Sequence, residues 1–338
     1  MNQWLFIFIS LILLGCSDVP PLKEDGPYRY KKPSFFPEYQ IPEDNKPTVL
    51  RVELGRRLFF EKRLSNSNST SCASCHVSSM AFTDGKSISH GAHGRMGNRN
   101  APTLANLLWS PHLMSEGGVK TLELQALGPI QDSSEMDMTM RNAEAQLADD
   151  VYLQNLSQAA YGRPLDAYVM IRALAVYQRS FISGDTRFDK YHFFKDTTAF
   201  NAQEKRGYDI FFSEKAACAS CHQLPFFTDY KFYNIGLYEN YADAGRQRVT
   251  YTANDNGKFK TPTLRNIEMT PPYMHDGSIR TLEDVVEFYN WGGKSHPNKD
   301  ARIQKMNWTP QEKADLIAFL KTLTDWNFLQ NHNFLPLQ

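Results

Sequence analysis

Four of the five cysteines in this 338-residue chain fall in two identical pentapeptides, Cys72-Ala73-Ser74-Cys75-His76 and Cys218-Ala219-Ser220-Cys221-His222. Two thiols three positions apart can add to the two vinyl groups along one edge of a haem, and the adjacent imidazole then reaches the iron. Two other chemistries use the same cysteines. A four-cysteine zinc site would take both pairs but has no need of a histidine after each. A thioredoxin-like pair needs only one CxxC, and either pair could close as a disulfide. Two CxxCH motifs, with no other cysteine in the body of the chain, favour two covalently attached haems c with His76 and His222 as proximal ligands.

The elements that must position these motifs come in duplicate. Gly55-Arg56-Arg57-Leu58-Phe59-Phe60 precedes the first motif and Gly207-Tyr208-Asp209-Ile210-Phe211-Phe212 the second. Phe82-Thr83-Asp84 and Phe227-Thr228-Asp229 follow them. Further on, Pro102-Thr103-Leu104-Ala105-Asn106 is answered by Pro262-Thr263-Leu264-Arg265-Asn266 at an offset of 160, which also pairs Met114 with Met274, Gly117 with Gly277 and Thr121-Leu122-Glu123 with Thr281-Leu282-Glu283. So steady a register implies two homologous cytochrome c-like haem domains, mainly α with loop-rich connections, over 48–190 and 191–338. Leu50, Leu54 and Leu58 predict an amphipathic lead-in helix; a second is expected over Ala167 to Arg179. Thr309-Pro310 should cap and open a last one.

Charge says little: Lys+Arg and Asp+Glu are both 37, with no basic run to suit nucleic acid. Trp4 to Leu14 is an apolar run too short to span a bilayer but right for a signal-peptide core. It ends in Leu13-Leu14-Gly15-Cys16, which resembles a bacterial lipobox. The reading is a leader over 1–16, lipid on Cys16 and a Pro-, Lys- and Tyr-rich tether over 17–47, placing the protein in the periplasm or cell envelope.

The halves differ where an enzyme needs them to. Gln125 and Glu135 lie after the first repeat; Val285 and Ser295 occupy the corresponding positions of the second. A pure electron carrier, the least favoured class, has no use for that asymmetry. From residue 48 to the end of the Thr309 helix the motifs LGRRLFF, SCASCH, AFTDG, GNRNAPTLAN, TLELQALGPIQDSSEM, ACASCH, FKTPTLRN and PYMHDGS resemble the bacterial dihaem cytochrome c peroxidases and the related MauG enzymes. The resemblance implies a peroxidatic N-terminal haem and an electron-relaying C-terminal one. It makes Glu135 the acid/base that moves a proton between the peroxide oxygens and Gln125 the group that places the peroxide.

The resemblance also implies one Ca²⁺ between the haems, held by the Asn100 side chain and the carbonyls of Thr270 and Pro272. A loop histidine, His93 or else His90, would block the first iron until the second haem is reduced; if neither does, no prior reduction is needed. Tyr289 matches the sixth ligand of the second haem, with Met274 as runner-up, and tyrosine there is a MauG trait. Ser115 stands where many relatives have an interhaem tryptophan, and Trp109 lies six residues earlier. The implied partners are hydrogen peroxide and a small cytochrome or similar donor, with a homodimer left open. The alternative is a MauG-like oxidase that forms high-valent iron and oxidises a protein or peptide partner.

Overall fold

The computed structural model describes residues 20–337, so the apolar leader and Cys16 lie outside the described residues. Short and medium helices carry the fold. Among the described residues the one sheet is the antiparallel pair Phe232–Tyr233 and Phe259–Lys260.

Each half is built on a crossing of two helices. The lead-in helix runs Val49–Phe60, with the Thr48 hydroxyl accepting from the Arg51 N–H, and buries Leu50, Leu54 and Leu58. It packs on Ala167–Gln178, and the crossing is so close at Gly55 that any Cβ would collide with the Ala173 carbonyl. The second half repeats this. Ala202–Phe211 crosses Pro310–Lys321, and a Cβ on Gly207 would strike the Asp315 carbonyl. Thr309 and Glu312 form the reciprocal cap that opens the latter helix, with Pro310 in its first turn. The loops repeat too. Thr103 donates to the Ala81 carbonyl and Thr263 to the Phe226 carbonyl, both at 2.6 Å. Asn106 and Asn266 share a left-handed conformation with φ of 61° and 62°.

Three features depart from the expected segmentation. The supposed tether packs down: Tyr30 donates to the Val176 carbonyl, Phe35 stacks on Phe193 at 4.0 Å, and Phe36 is buried against Trp109 and Phe226. This strap has no periodicity because it runs extended across both halves and is held by single aromatic anchors. A boundary at 190/191 would cut the Arg187–His192 helix, whose Phe188 sits in the C-terminal core. Finally, Phe328, Leu329 and Phe334 return to the N-terminal core, where Phe334 lies edge-on to Phe82 and Phe181.

Candidate active site

Each CxxCH is followed by a turn that aims a carbonyl back at its histidine. Phe82 and Phe227 take positive φ values of 63° and 54°, a strained choice for an aromatic residue. Their carbonyls accept from Nδ1–H of His76 at 2.8 Å and of His222 at 3.0 Å. With the proton held on Nδ1, Nε2 keeps its lone pair, and burial lowers both imidazole pKa values, favouring the neutral ring that ligation requires. No disulfide joins any of the four cysteines. Burial pushes Cys72 and Cys218 up to about 12, the opposite of an activated thioredoxin-type thiol. Among the described residues no three His, Cys, Asp or Glu converge on a metal position, which removes the four-cysteine zinc arrangement. The donor set fits a haem c at each motif.

Both motifs open into one connected cavity of about 890 Å³, at the upper end of the roughly 300–1,000 Å³ of ligand pockets. Cys72, Cys75, His76, Cys218, Cys221 and His222 all line it. Gln125 and Glu135 line it as well. Gln125 ends the Leu122–Gln125 turn, whose neighbouring Glu123 is locked by two hydrogen bonds from Arg179 and one from Asn45. Burial pushes the Glu123 carboxyl up, but the Arg179 guanidinium outweighs it and holds the group below the usual range. Glu135 has no cationic partner. Burial, then the negative charge of Asp132, raises its carboxyl to about 7. Val285 also lines the cavity, but the counterpart of Glu135, Ser295, does not.

The loop before Asn100 leaves both its histidines outside. Gly91 is pressed against Glu135 so closely that a Cβ would collide with the Ser134 and Glu135 carbonyls, and the Ala92 N–H donates to the Glu135 carbonyl. Pinned there, the chain turns through His93 at φ 60°; His90 and His93 are exposed and neither lines the cavity. Neither histidine thus reaches the first site as folded, and the loop side chains that line the cavity are Met96, Asn98, Arg99 and Asn100. Tyr289, on the Leu282–Trp291 helix, lines the cavity near Cys218 and Cys221; Met274 and His275 line the same cavity. Burial raises the Tyr289 phenol strongly, so it stays neutral in the protein environment alone. Asn100 and Thr270 line the cavity; the Asn100 amide N–H₂ group is spent on the Lys86 carbonyl, leaving its oxygen free. Trp109 does not line the cavity and donates to the Pro37 carbonyl, so it does not stand in for a tryptophan at Ser115. Sequence reading passed over Lys260, although the 160 offset places this lysine opposite Asn100.

Among the described residues no helix is long and apolar enough to cross a membrane. Residues 50–198 match the di-haem cytochrome c peroxidase family model and 204–324 the cytochrome c model. A cytochrome-c peroxidase IdrP1 of Denitromonas iodatirespirans is 35% identical, over 92% of this chain and 88% of that one. The methylamine utilization protein MauG of Methylorubrum extorquens is 37% identical, over 87% and 83%. The crystal structure of a MauG-like protein associated with microbial copper homeostasis superposes with a TM-score of 0.86 and 34% identity, over 91% of this chain and 99% of that one. The duplicated domains, the two CxxCH sites opening into one cavity and these relatives agree: the chain is a two-haem oxidoreductase belonging to the di-haem cytochrome c peroxidase/MauG family.

Proposed function

We propose that this chain reduces hydrogen peroxide to water at the Cys72/Cys75/His76 site, with electrons entering through the Cys218/Cys221/His222 site from a small cytochrome or similar donor. The carrying observation is the one-sided pair: Gln125 and Glu135 border the cavity only in the N-terminal half. When bound, the haems supply the electrons and the Lewis acidity for O–O cleavage. The side chains supply proton traffic. A carboxyl at about 7 can take a proton from the near peroxide oxygen and return it to the departing one, while the Gln125 amide orients the molecule. With His90 and His93 turned outward, the first site needs no prior reduction to admit peroxide.

Tyr289 favours a second reading, a MauG-like oxidase that spends peroxide on a protein or peptide partner. A phenolate is a harder, anionic donor than a thioether and lowers the potential of the iron it binds. Relatives named for both activities are about equally similar, so the names do not decide. One Ca²⁺ held by Asn100, Thr270 and Pro272, with lipid on Cys16 of an exported chain, completes the proposal; oxygen-only ligation suits calcium. Steady-state turnover with peroxide and a reduced small cytochrome is the test. Turnover supports the peroxidase; its absence, with peroxide still consumed when a protein partner is supplied, replaces it with the oxidase.

A further inference from the structure

Lys260 is a partly buried cation that, among the described residues, forms no salt bridge. It ends the Phe259–Lys260 strand and lines the cavity. Its ammonium donates to the His112 carbonyl at 2.6 Å. Of the other cations lining the cavity, Arg99 is taken by Glu116 and Asp243, Arg302 by Asp300, and Arg248 is exposed to solvent. Glu116 is the one acid whose charge reaches Lys260, and it is bonded to Arg99. Burial lowers the ammonium to about 8 against that opposing charge, so it is still mostly protonated at neutral pH. One carbonyl satisfies one of three N–H donors, which leaves two on a partly buried ammonium facing the cavity for an anion to meet.

Its position is set by the duplication. The Lys260 N–H donates to the Ser115 carbonyl and the Asn100 N–H to the His275 carbonyl, each at 2.8 Å. At the 160 offset Lys260 matches Asn100 and His275 matches Ser115, so these are two copies of one contact between the halves. The same offset matches His112 with Pro272. The ammonium therefore sits at the 160-offset counterpart of the Asn100 side chain and the Pro272 carbonyl, two of the groups proposed above to hold calcium, with its charge covalently built in.

We propose that Lys260 is a positioning residue whose ammonium binds a haem propionate at the contact between the two halves and raises the reduction potential of that haem. An arriving electron makes the haem more negative, and a fixed positive charge in a low-dielectric site favours that state. The inference rests on the two haems alone and holds whether the enzyme is a peroxidase or an oxidase.

The test is optical redox titration of the full-length holoprotein in Lys260→Gln, Lys260→Met and Lys260→Arg variants, with haem content measured on each. The two neutral variants should show a downward shift in at least one midpoint, while Lys260→Arg stays near the parent value. Two loaded haems with unchanged midpoints in a neutral variant would overturn the proposal, as would an equal shift in Lys260→Arg. If the neutral variants fail to load haem, recovery of loading by Lys260→Arg supports a charge-based role. Failure of all three points to packing and refutes it.

Discussion

Glu135 offers the sharpest test because its environment fixes a pH at which its role must show. The ordinary glutamate value is 4.5, and here burial, helped by the Asp132 charge, raises it to about 7. The form that accepts a proton from peroxide is the ionised one. At pH 6 about 9% of the carboxyl is ionised and at pH 8 about 91%, so the peroxide reaction should accelerate roughly tenfold between them. Stopped-flow measurement of the second-order rate of the oxidised protein with peroxide reads this directly. Glu135→Gln should lower that rate by about 10²–10⁴ and flatten its pH dependence. Asp132→Asn removes the charge that helps raise the carboxyl, so the rising limb should move to lower pH with little loss at the plateau. A flat wild-type profile between pH 6 and 8, or a Glu135→Gln variant that keeps the rise, would refute the assignment.

Three further outcomes follow from the geometry. Neither His90 nor His93 lines the cavity, so a double His90→Ala, His93→Ala variant should leave the resting optical and EPR spectra of the first haem unchanged. Arg265 and Asp189 form a fully buried pair, with hydrogen bonds of 2.8 and 2.9 Å. Asp189→Asn should cost about 3–5 kcal/mol by stranding the guanidinium, seen as a lower melting temperature. Gly207→Ala would ordinarily gain about 1 kcal/mol of helix propensity. The collision with the Asp315 carbonyl should reverse the sign, for a net loss of about 1–3 kcal/mol in thermal unfolding.

What was legible in the sequence was what neighbouring residues decide. The spacing of Leu50, Leu54 and Leu58 and the Thr309 cap are local, and both helices form where they predict. The cysteine spacing is chemistry in itself. The strap over residues 28–45 is different: Tyr30, Phe35 and Phe36 find partners more than 70 positions away. No pattern within the segment reports such contacts. The return of Phe334 to the first core is likewise invisible locally. Nor is the direction of the His93 side chain legible locally. A motif fixes which residues the loop carries, whereas its course depends on how Gly91 packs on Glu135.

The duplication makes the remaining differences interpretable. Backbone requirements recur across the halves: Met114 and Met274 have φ of 65° and 75°, and Gly117 and Gly277 have 70° and 65°. The Leu113–Val119 bridge is repeated as Tyr273–Ile279. Where the same backbone is kept and the side chain changes, the change is not needed for folding the loop. Gln125 against Val285, Ser115 against His275 and Asn100 against Lys260 are three such places, and Gln125, Val285, Ser115, His275, Asn100 and Lys260 all line the cavity. Two equivalent haem domains are thereby given unequal surroundings: an amide and an unpaired acid in the first, a partly buried phenol in the second, and a built-in cation at their contact. A carrier of electrons would gain nothing from that inequality, whereas an enzyme that takes peroxide at one haem and electrons at the other requires it.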